Sequence, residues 1–261
     1  MTQEKKAKKE KTPRTKTISW LPQMFIKPRA TMEKVAAAEE SVKRTPMLFI
    51  IIIMIVAILF AAPVKRAQLA QGATIPENFQ YWSEQQQLQY FEAQKNQASP
   101  IFMYLFPTLA GALGYFLFSL IMASILYLAL TLAGSRAPRL KIGNVVAWAM
   151  IPFGLRELIK FIVAVTSKQL ITQPGFSNLI DAEAKGFSAY LRSLLANIDI
   201  YWVLFVVFLI IGATVVSGLK KRNAIITTII AALIMLLLQA VPGFIGSLLR
   251  GLSAGGAGFY F

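Results

Sequence analysis

The distribution of apolar residues is the dominant feature of this sequence. Five long apolar stretches follow a polar amino-terminal segment, at residues 47–64, 107–133, 145–165, 200–219 and 224–249. A helix needs about 20 residues to cross the hydrocarbon core of a bilayer. Because lipid offers no hydrogen bonds to the backbone, a run of that length crosses as a helix even where β-branched residues are frequent. The pattern predicts an all-α, polytopic transmembrane helical bundle with five crossings.

Polar segments make up the rest of the chain. Residues 1–17 hold seven basic and two acidic residues, which predicts a disordered polybasic tail. Residues 18–45 alternate short apolar patches with charges, a pattern typical of an amphipathic segment at the membrane interface. The five crossings then form one domain over residues 46–249, and residues 250–261 form a glycine-rich tail.

Basic residues are distributed unevenly among the polar segments. The first 46 residues carry 12 basic and five acidic residues, and the connections at 134–144 and 220–223 carry three basic residues each and no acidic one. The connections at 64–99 and 166–199 have no net charge. Because cytoplasmic loops are enriched in Lys and Arg, this alternation predicts a cytoplasmic amino terminus and a carboxy terminus outside.

Composition supports a membrane protein and limits its chemistry. The 261 residues are 56% hydrophobic and 15% charged, whereas soluble domains have about 25% charged residues. The absence of His and Cys excludes histidine triads, thiolate nucleophiles and zinc sites built from these residues. The only aspartates, Asp181 and Asp199, share one connection, so the crossings offer no aspartate pair. We expect a protein that is not an enzyme and that uses no cofactor or metal.

The net charge of +15 indicates an anionic partner. Clusters of basic residues bind either nucleic acid or anionic lipid headgroups. Because these clusters flank apolar crossings, we predict contact with anionic headgroups on the cytoplasmic side of the bilayer, and no nucleic acid. The candidate lipid-contacting residues are Lys5, Lys6, Lys8, Lys9, Lys220, Lys221 and Arg222.

Charged side chains occur within one crossing only. Arg156, Glu157 and Lys160 lie at helical spacing in the third stretch, shortly after Pro152. Charges within a membrane are costly and often mark paired sites or transport pathways. Three interpretations remain open: a broken helix that lets the charges reach the outer interface, an ion pair inside the bundle, or a transport site.

The first outer connection is rich in Gln and aromatic residues. Phe79, Trp82, Tyr90 and Phe91 fall partly on one face of a predicted helix. These aromatic residues either pack against the outer ends of the bundle or form a docking surface for a partner, since aromatic residues are enriched at protein interfaces. A second outer helix is predicted over residues 174–199.

Four short motifs lie at corresponding places in a known family. They are residues 25–33 (FIKPRATME) before the first crossing, residues 147–155 (AWAMIPFGL) in the third, residues 197–202 (NIDIYW) with Gly212 in the fourth, and the basic turn at 220–222. In these motifs, residues 22–245 resemble the Yip1 domain family of five-helix membrane proteins. The Asp-Leu-Tyr-Gly-Pro motif of eukaryotic members is missing, so the chain is more similar to the prokaryotic branch.

The resemblance implies a function that composition and spacing do not show. Some prokaryotic members are associated with ABC transporters and their periplasmic adaptors. We therefore expect a multi-pass protein of the prokaryotic cell (inner) membrane. It would act as a non-enzymatic accessory or scaffold protein of a larger membrane complex, such as an ABC-type efflux system. The alternative is a small transporter or channel subunit with a polar path at the third crossing.

Overall fold

The computed structural model describes residues 17–71, 79–171, 174–181 and 184–254. The described residues form helices and connections without a β-strand, which confirms the all-α prediction. Residues 1–16 and 255–261, and with them most of the two predicted tails, lie outside the described residues.

Two short helices begin the described chain. Helix α1 spans Trp20–Ile26 and α2 spans Pro28–Ala37, separated at Lys27. Proline suits the first turn of α2 because an amide hydrogen there has no helical partner. Helix α2 buries Thr31, Met32, Val35 and Ala36, which share one face. This face joins the core, so the segment predicted at the interface contacts the bundle.

Among the described residues, three helices are long and apolar enough to cross a membrane. They are α3 at Arg44–Gln71, α5 at Phe106–Leu132, which continues a π-helical turn at Ile101–Leu105, and the final helix, Lys221–Ala254. A fourth span results if Phe187–Ala196 and Ile200–Val216, which are bent by 70° at a short break, count as one. The protein is therefore an integral membrane protein, and five crossings remain a prediction.

The third predicted crossing is divided in the structure. Helix α6 spans Arg139–Ala149 and α7 spans Ile151–Thr166, with Met150 between them. Pro152 at the second position of α7 has no amide hydrogen, which favours a helix start there. Every residue from Ile142 to Phe153 is buried. Helix α6 therefore runs through the core, and it begins inside the stretch predicted as the connection 134–144.

Helix α4 spans Glu84–Gln97, and the two helices of the bent pair are α8 at Phe187–Ala196 and α9 at Ile200–Val216. The final helix, Lys221–Ala254, is α10. Helix α8 follows a 3-10 turn at Ser177–Leu179, so the predicted outer helix over 174–199 consists of two shorter pieces. Helix α10 continues into the stretch predicted as the glycine-rich tail.

Aromatic side chains from three helices fill the centre of the bundle. Phe118 of α5, Phe153 of α7 and Phe205 of α9 have ring centroids 5.1 to 5.4 Å apart. A glycine brings α9 close to its neighbours, since a Cβ atom at Gly212 would overlap Val145 of α6. These contacts fix the positions of α5, α7 and α9, which carry the polar residues described next.

Candidate functional site

The three charged residues of the third predicted crossing lie together on α7. Lys160 Nζ is 2.9 Å from Glu157 Oε1, and Arg156 Nε is 3.9 Å from the same oxygen. Glu157 is buried, whereas the side chain of Lys160 is 45% exposed. The structure thus places a buried carboxylate between two cations.

Helix α5 contributes a tyrosine to this group. Tyr115 donates a hydrogen bond of 2.7 Å to Glu157 Oε1 and accepts one of 3.3 Å from Arg156 Nη2. The Arg156 guanidinium also lies over the Phe153 ring, 4.9 Å from its centroid, where a cation–π contact is favourable. Nothing in the apolar sequence around Tyr115 indicates this role, because a lone hydroxyl leaves the hydrophobic pattern unchanged.

The aspartate at the start of α9 completes the group. Asp199 Oδ1 accepts a 2.7 Å hydrogen bond from the backbone nitrogen of Trp202, and Oδ2 lies 3.4 Å from Arg156 Nη1. One carboxylate therefore caps α9 and pairs with α7. The loop assignment 166–199 puts Asp199 in a connection, although an aspartate directly before an apolar run is a typical N-cap signal.

We call Tyr115, Arg156, Glu157, Lys160 and Asp199 the polar cluster. A cavity of about 440 Å³ adjoins it and is walled by residues of α3, α5, α7, α9 and α10. Its size lies within the range of ligand pockets, which is about 300–1,000 Å³. The cluster can hold polar or charged groups of a ligand, and the walls from α3 and α5 are apolar.

A family model for the Yip1 domain matches residues 23–241, which include the whole polar cluster. The chain belongs to the Yip1 domain family. Comparisons with curated proteins and with solved structures found no match. The resemblance seen in the short motifs is thereby confirmed for the family, and the matched range extends from α1 into α10.

Two polar side chains on α6, one just before the motif at residues 147–155 and one within it, have a clear structural role. Asn144 accepts a 3.2 Å hydrogen bond from the Val42 nitrogen and donates one of 3.0 Å to the Glu40 carbonyl. Trp148, one turn later, donates a 3.1 Å bond to the Val42 carbonyl. We call Asn144 and Trp148 the α6 clamp, because they hold the connection between α2 and α3 against α6.

The four aromatic candidates for docking are brought together in the structure. Phe79 lies 5.5 Å from Trp82, 5.5 Å from Tyr90 and 5.6 Å from Phe91, measured between ring centroids. These four rings form the aromatic cluster of the Yip1 domain protein. Tyr90 and Phe91 belong to α4, the other two rings precede it, and part of the surrounding apolar surface remains exposed.

The described basic candidates lie at one end of the bundle. Lys220 directly precedes α10 and Lys221 and Arg222 begin it, and all three are exposed. The Ser135 hydroxyl donates a 2.7 Å hydrogen bond to the Ser217 carbonyl, which joins the two basic connections. We call this the basic end. Lys5, Lys6, Lys8 and Lys9 lie outside the described residues.

Proposed function

We propose that this Yip1 domain protein is a non-enzymatic accessory or scaffold protein of the prokaryotic cell membrane, which assists a larger complex such as an ABC-type efflux system. The observation that carries the proposal is the segment of residues 79–97, in which exposed apolar side chains flank the aromatic cluster. Tyr81 is 82% exposed and Leu88 is 61% exposed.

The aromatic cluster supports docking in two ways. Aromatic residues are enriched at protein interfaces, where one ring buries a large area with little loss of side-chain freedom. Packing among the four rings also orders the segment before a partner arrives, which lowers the entropic cost of association. On the predicted topology, the partner would be an extracytoplasmic segment of a transporter or of its adaptor.

Site-specific photocross-linking tests this proposal. A photoreactive residue at Tyr81 or Leu88 should form adducts with a subunit of an ABC transporter or its adaptor, identified by mass spectrometry. The same residue at Phe116 of α5, which is 57% exposed, provides the control for general membrane contacts. Equal adduct patterns at all three positions, or adducts with lipid alone, would contradict docking at this segment.

A second candidate function is a small transporter or channel subunit. The cavity beside the polar cluster favours it, since charged residues inside a membrane often line a pathway. Replacing Arg156 and Glu157 with Leu should then abolish any ion or solute flux that the protein mediates across the membrane of reconstituted vesicles. Unchanged flux in a correctly folded variant would remove this candidate.

A further inference from the structure

A second cavity lies at the basic end, where the two described basic connections meet. Its volume is about 360 Å³, and it is lined by the end of α2, the residues around the start of α6, and the end of α9. Among the described residues, the charged side chains in its lining are Arg136 and Lys141, and none is acidic. It shares no lining residue with the cavity beside the polar cluster. We call it the basic cavity.

The two cations of the basic cavity have no protein partner. In the part of the chain that the structure describes, the side chains of Arg136 and Lys141 make no ion pair and no hydrogen bond. Their neighbour Arg139 instead donates a 3.3 Å hydrogen bond to the Ser124 hydroxyl of α5. Arg136 is exposed, and Lys141 is half-buried with a side-chain nitrogen that is not enclosed. Both charges are therefore accessible to an anion from outside the fold.

The helix ends around the basic cavity offset its charge only in part. Helices α2 and α9 end there, and the carboxy-terminal end of a helix carries about half a negative charge. Helix α6 begins there, and its amino-terminal end carries about half a positive charge. Because the two side chains add two full positive charges, the cavity keeps a net positive charge. It therefore favours an anion and disfavours a further cation.

We propose that the basic cavity binds the headgroup phosphate of an anionic phospholipid of the phosphatidylglycerol class. The Arg136 guanidinium has the planar geometry that binds two phosphate oxygens, and Lys141 adds a point charge. This is one site for one lipid, built from residues other than Lys220, Lys221 and Arg222, for which the sequence predicts general contact with headgroups. The inference goes beyond the accessory role, and neither depends on the other.

The position of the basic cavity favours a lipid as the source of the phosphate. Two helices that are long enough to cross a membrane have an end nearby in sequence, α5 at Leu132 and α10 at Lys221. On the predicted topology this end faces the cytoplasmic leaflet, where basic pockets between helices bind anionic headgroups. Residues 1–16 of the chain itself hold seven basic and two acidic residues, so they would add positive charge instead of neutralising it.

Binding to defined lipids tests the headgroup assignment. The full chain, purified in detergent, is titrated with phosphatidylglycerol and with phosphatidylethanolamine, and bound lipid is measured by native mass spectrometry. Because its ammonium adds a positive charge beside two cations, phosphatidylethanolamine should bind about tenfold more weakly. Equal affinity for the two lipids would overturn the proposal. Equal affinity for phosphatidylglycerol and soluble glycerophosphoglycerol would overturn the assignment to a lipid.

Charge-removing variants distinguish a defined site from general attraction to a basic protein. Arg136→Gln and Lys141→Gln each remove one cation of the basic cavity and should weaken phosphatidylglycerol binding several-fold. Because neither cation has a protein partner, both lipid-free variants should melt at the temperature of the parent protein. Arg139→Gln is the matched control, since it removes the same charge outside the cavity lining, and it should bind as the parent does. Equal weakening in all three variants would contradict the site.

Protection of an introduced cysteine locates the bound lipid independently. Pro138 lines the basic cavity and is exposed, and the sequence has no native Cys, so Pro138→Cys alone can react with a maleimide. Phosphatidylglycerol should slow this reaction several-fold, and the same concentration of phosphatidylethanolamine should slow it less. Asn223→Cys, which is exposed at the same end but outside the lining, is the matched control and should react at an unchanged rate.

Two outcomes of the protection experiment would refute the basic cavity as the site. They are an unchanged rate at Pro138→Cys and an equal slowing at Pro138→Cys and Asn223→Cys. The cross-linking at Tyr81 and Leu88 tests the accessory role separately, so a failure of one proposal leaves the other standing.

Discussion

At the scale of single residues, Asp199 shows how one side chain connects two helices. Its Oδ1 atom caps α9 through the Trp202 nitrogen, and its Oδ2 atom faces Arg156 of α7. The side chain of Asp199 is 16% exposed and that of Arg156 is 27% exposed. The pair is therefore shielded from water in part, so removing one partner should cost more free energy of unfolding than breaking a surface ion pair does.

Substitutions of Asp199 should separate these two roles. Asp199→Asn keeps an oxygen that can cap α9 but removes the charge that faces Arg156. Asp199→Ala removes both and should lower the free energy of unfolding by about 1 kcal/mol more than Asp199→Asn does. The measurement is reversible unfolding in mixed micelles.

The control for the Asp199 series is Glu92→Gln, which removes one exposed negative charge from α4. It should change the free energy of unfolding by less than about 0.5 kcal/mol. Equal losses for Asp199→Asn and Asp199→Ala would show that the cap contributes nothing.

At the scale of helices, α6 organises the amino-terminal half of the molecule. The α6 clamp bonds to Glu40 and Val42 between α2 and α3, and Val145 of α6 packs against Gly212 of α9. A short buried helix thus holds α2, α3 and α9 together. Trp20 of α1 adds a ring contact at 5.5 Å from Trp148.

Removing one side chain of the α6 clamp should destabilise the protein. Asn144→Ala leaves the buried nitrogen of Val42 and the carbonyl of Glu40 without this partner, so the free energy of unfolding should fall by about 1–3 kcal/mol. Asn223→Ala, at an exposed position in the first turn of α10, is the matched control. Similar losses for the two variants would contradict the role of the clamp.

The local pattern of apolar and polar residues in the sequence predicts some of these features and misses others for a physical reason. Long apolar runs indicate α3, α5, α9 and α10 because a helix in lipid must satisfy its own backbone. The break at Met150 is less visible, since Pro152 can also be accommodated in a membrane helix. One hydrogen-bond partner of Glu157 is Tyr115, 42 residues earlier in the chain, and that contact depends on how α5 and α7 pack.

At the scale of the whole molecule, two contacts bear on the number of crossings. The hydrogen bond between Ser135 and Ser217 puts both described basic connections at the basic end. The Tyr190 hydroxyl of α8 bonds to the Leu237 carbonyl of α10, 16 residues after Lys221. At 1.5 Å per residue, α8 thus lies about 24 Å along α10 from the basic end. The hydrogen bond at the basic end and the separation of α8 from that end by about 24 Å together favour the predicted five crossings over three or four.

Cysteine labelling with an impermeant maleimide should decide among these counts, because the sequence has no native Cys. Gln86, Asn178 and Asn223 are exposed, so a cysteine at each position can react. With five crossings, Gln86→Cys and Asn178→Cys react in intact cells, and Asn223→Cys reacts only after lysis. With three spans, Asn178→Cys is protected as well. With four, Asn178→Cys is protected and Asn223→Cys reacts. We expect the first pattern, because the basic connections lie together at one end and the cytoplasmic side retains basic loops.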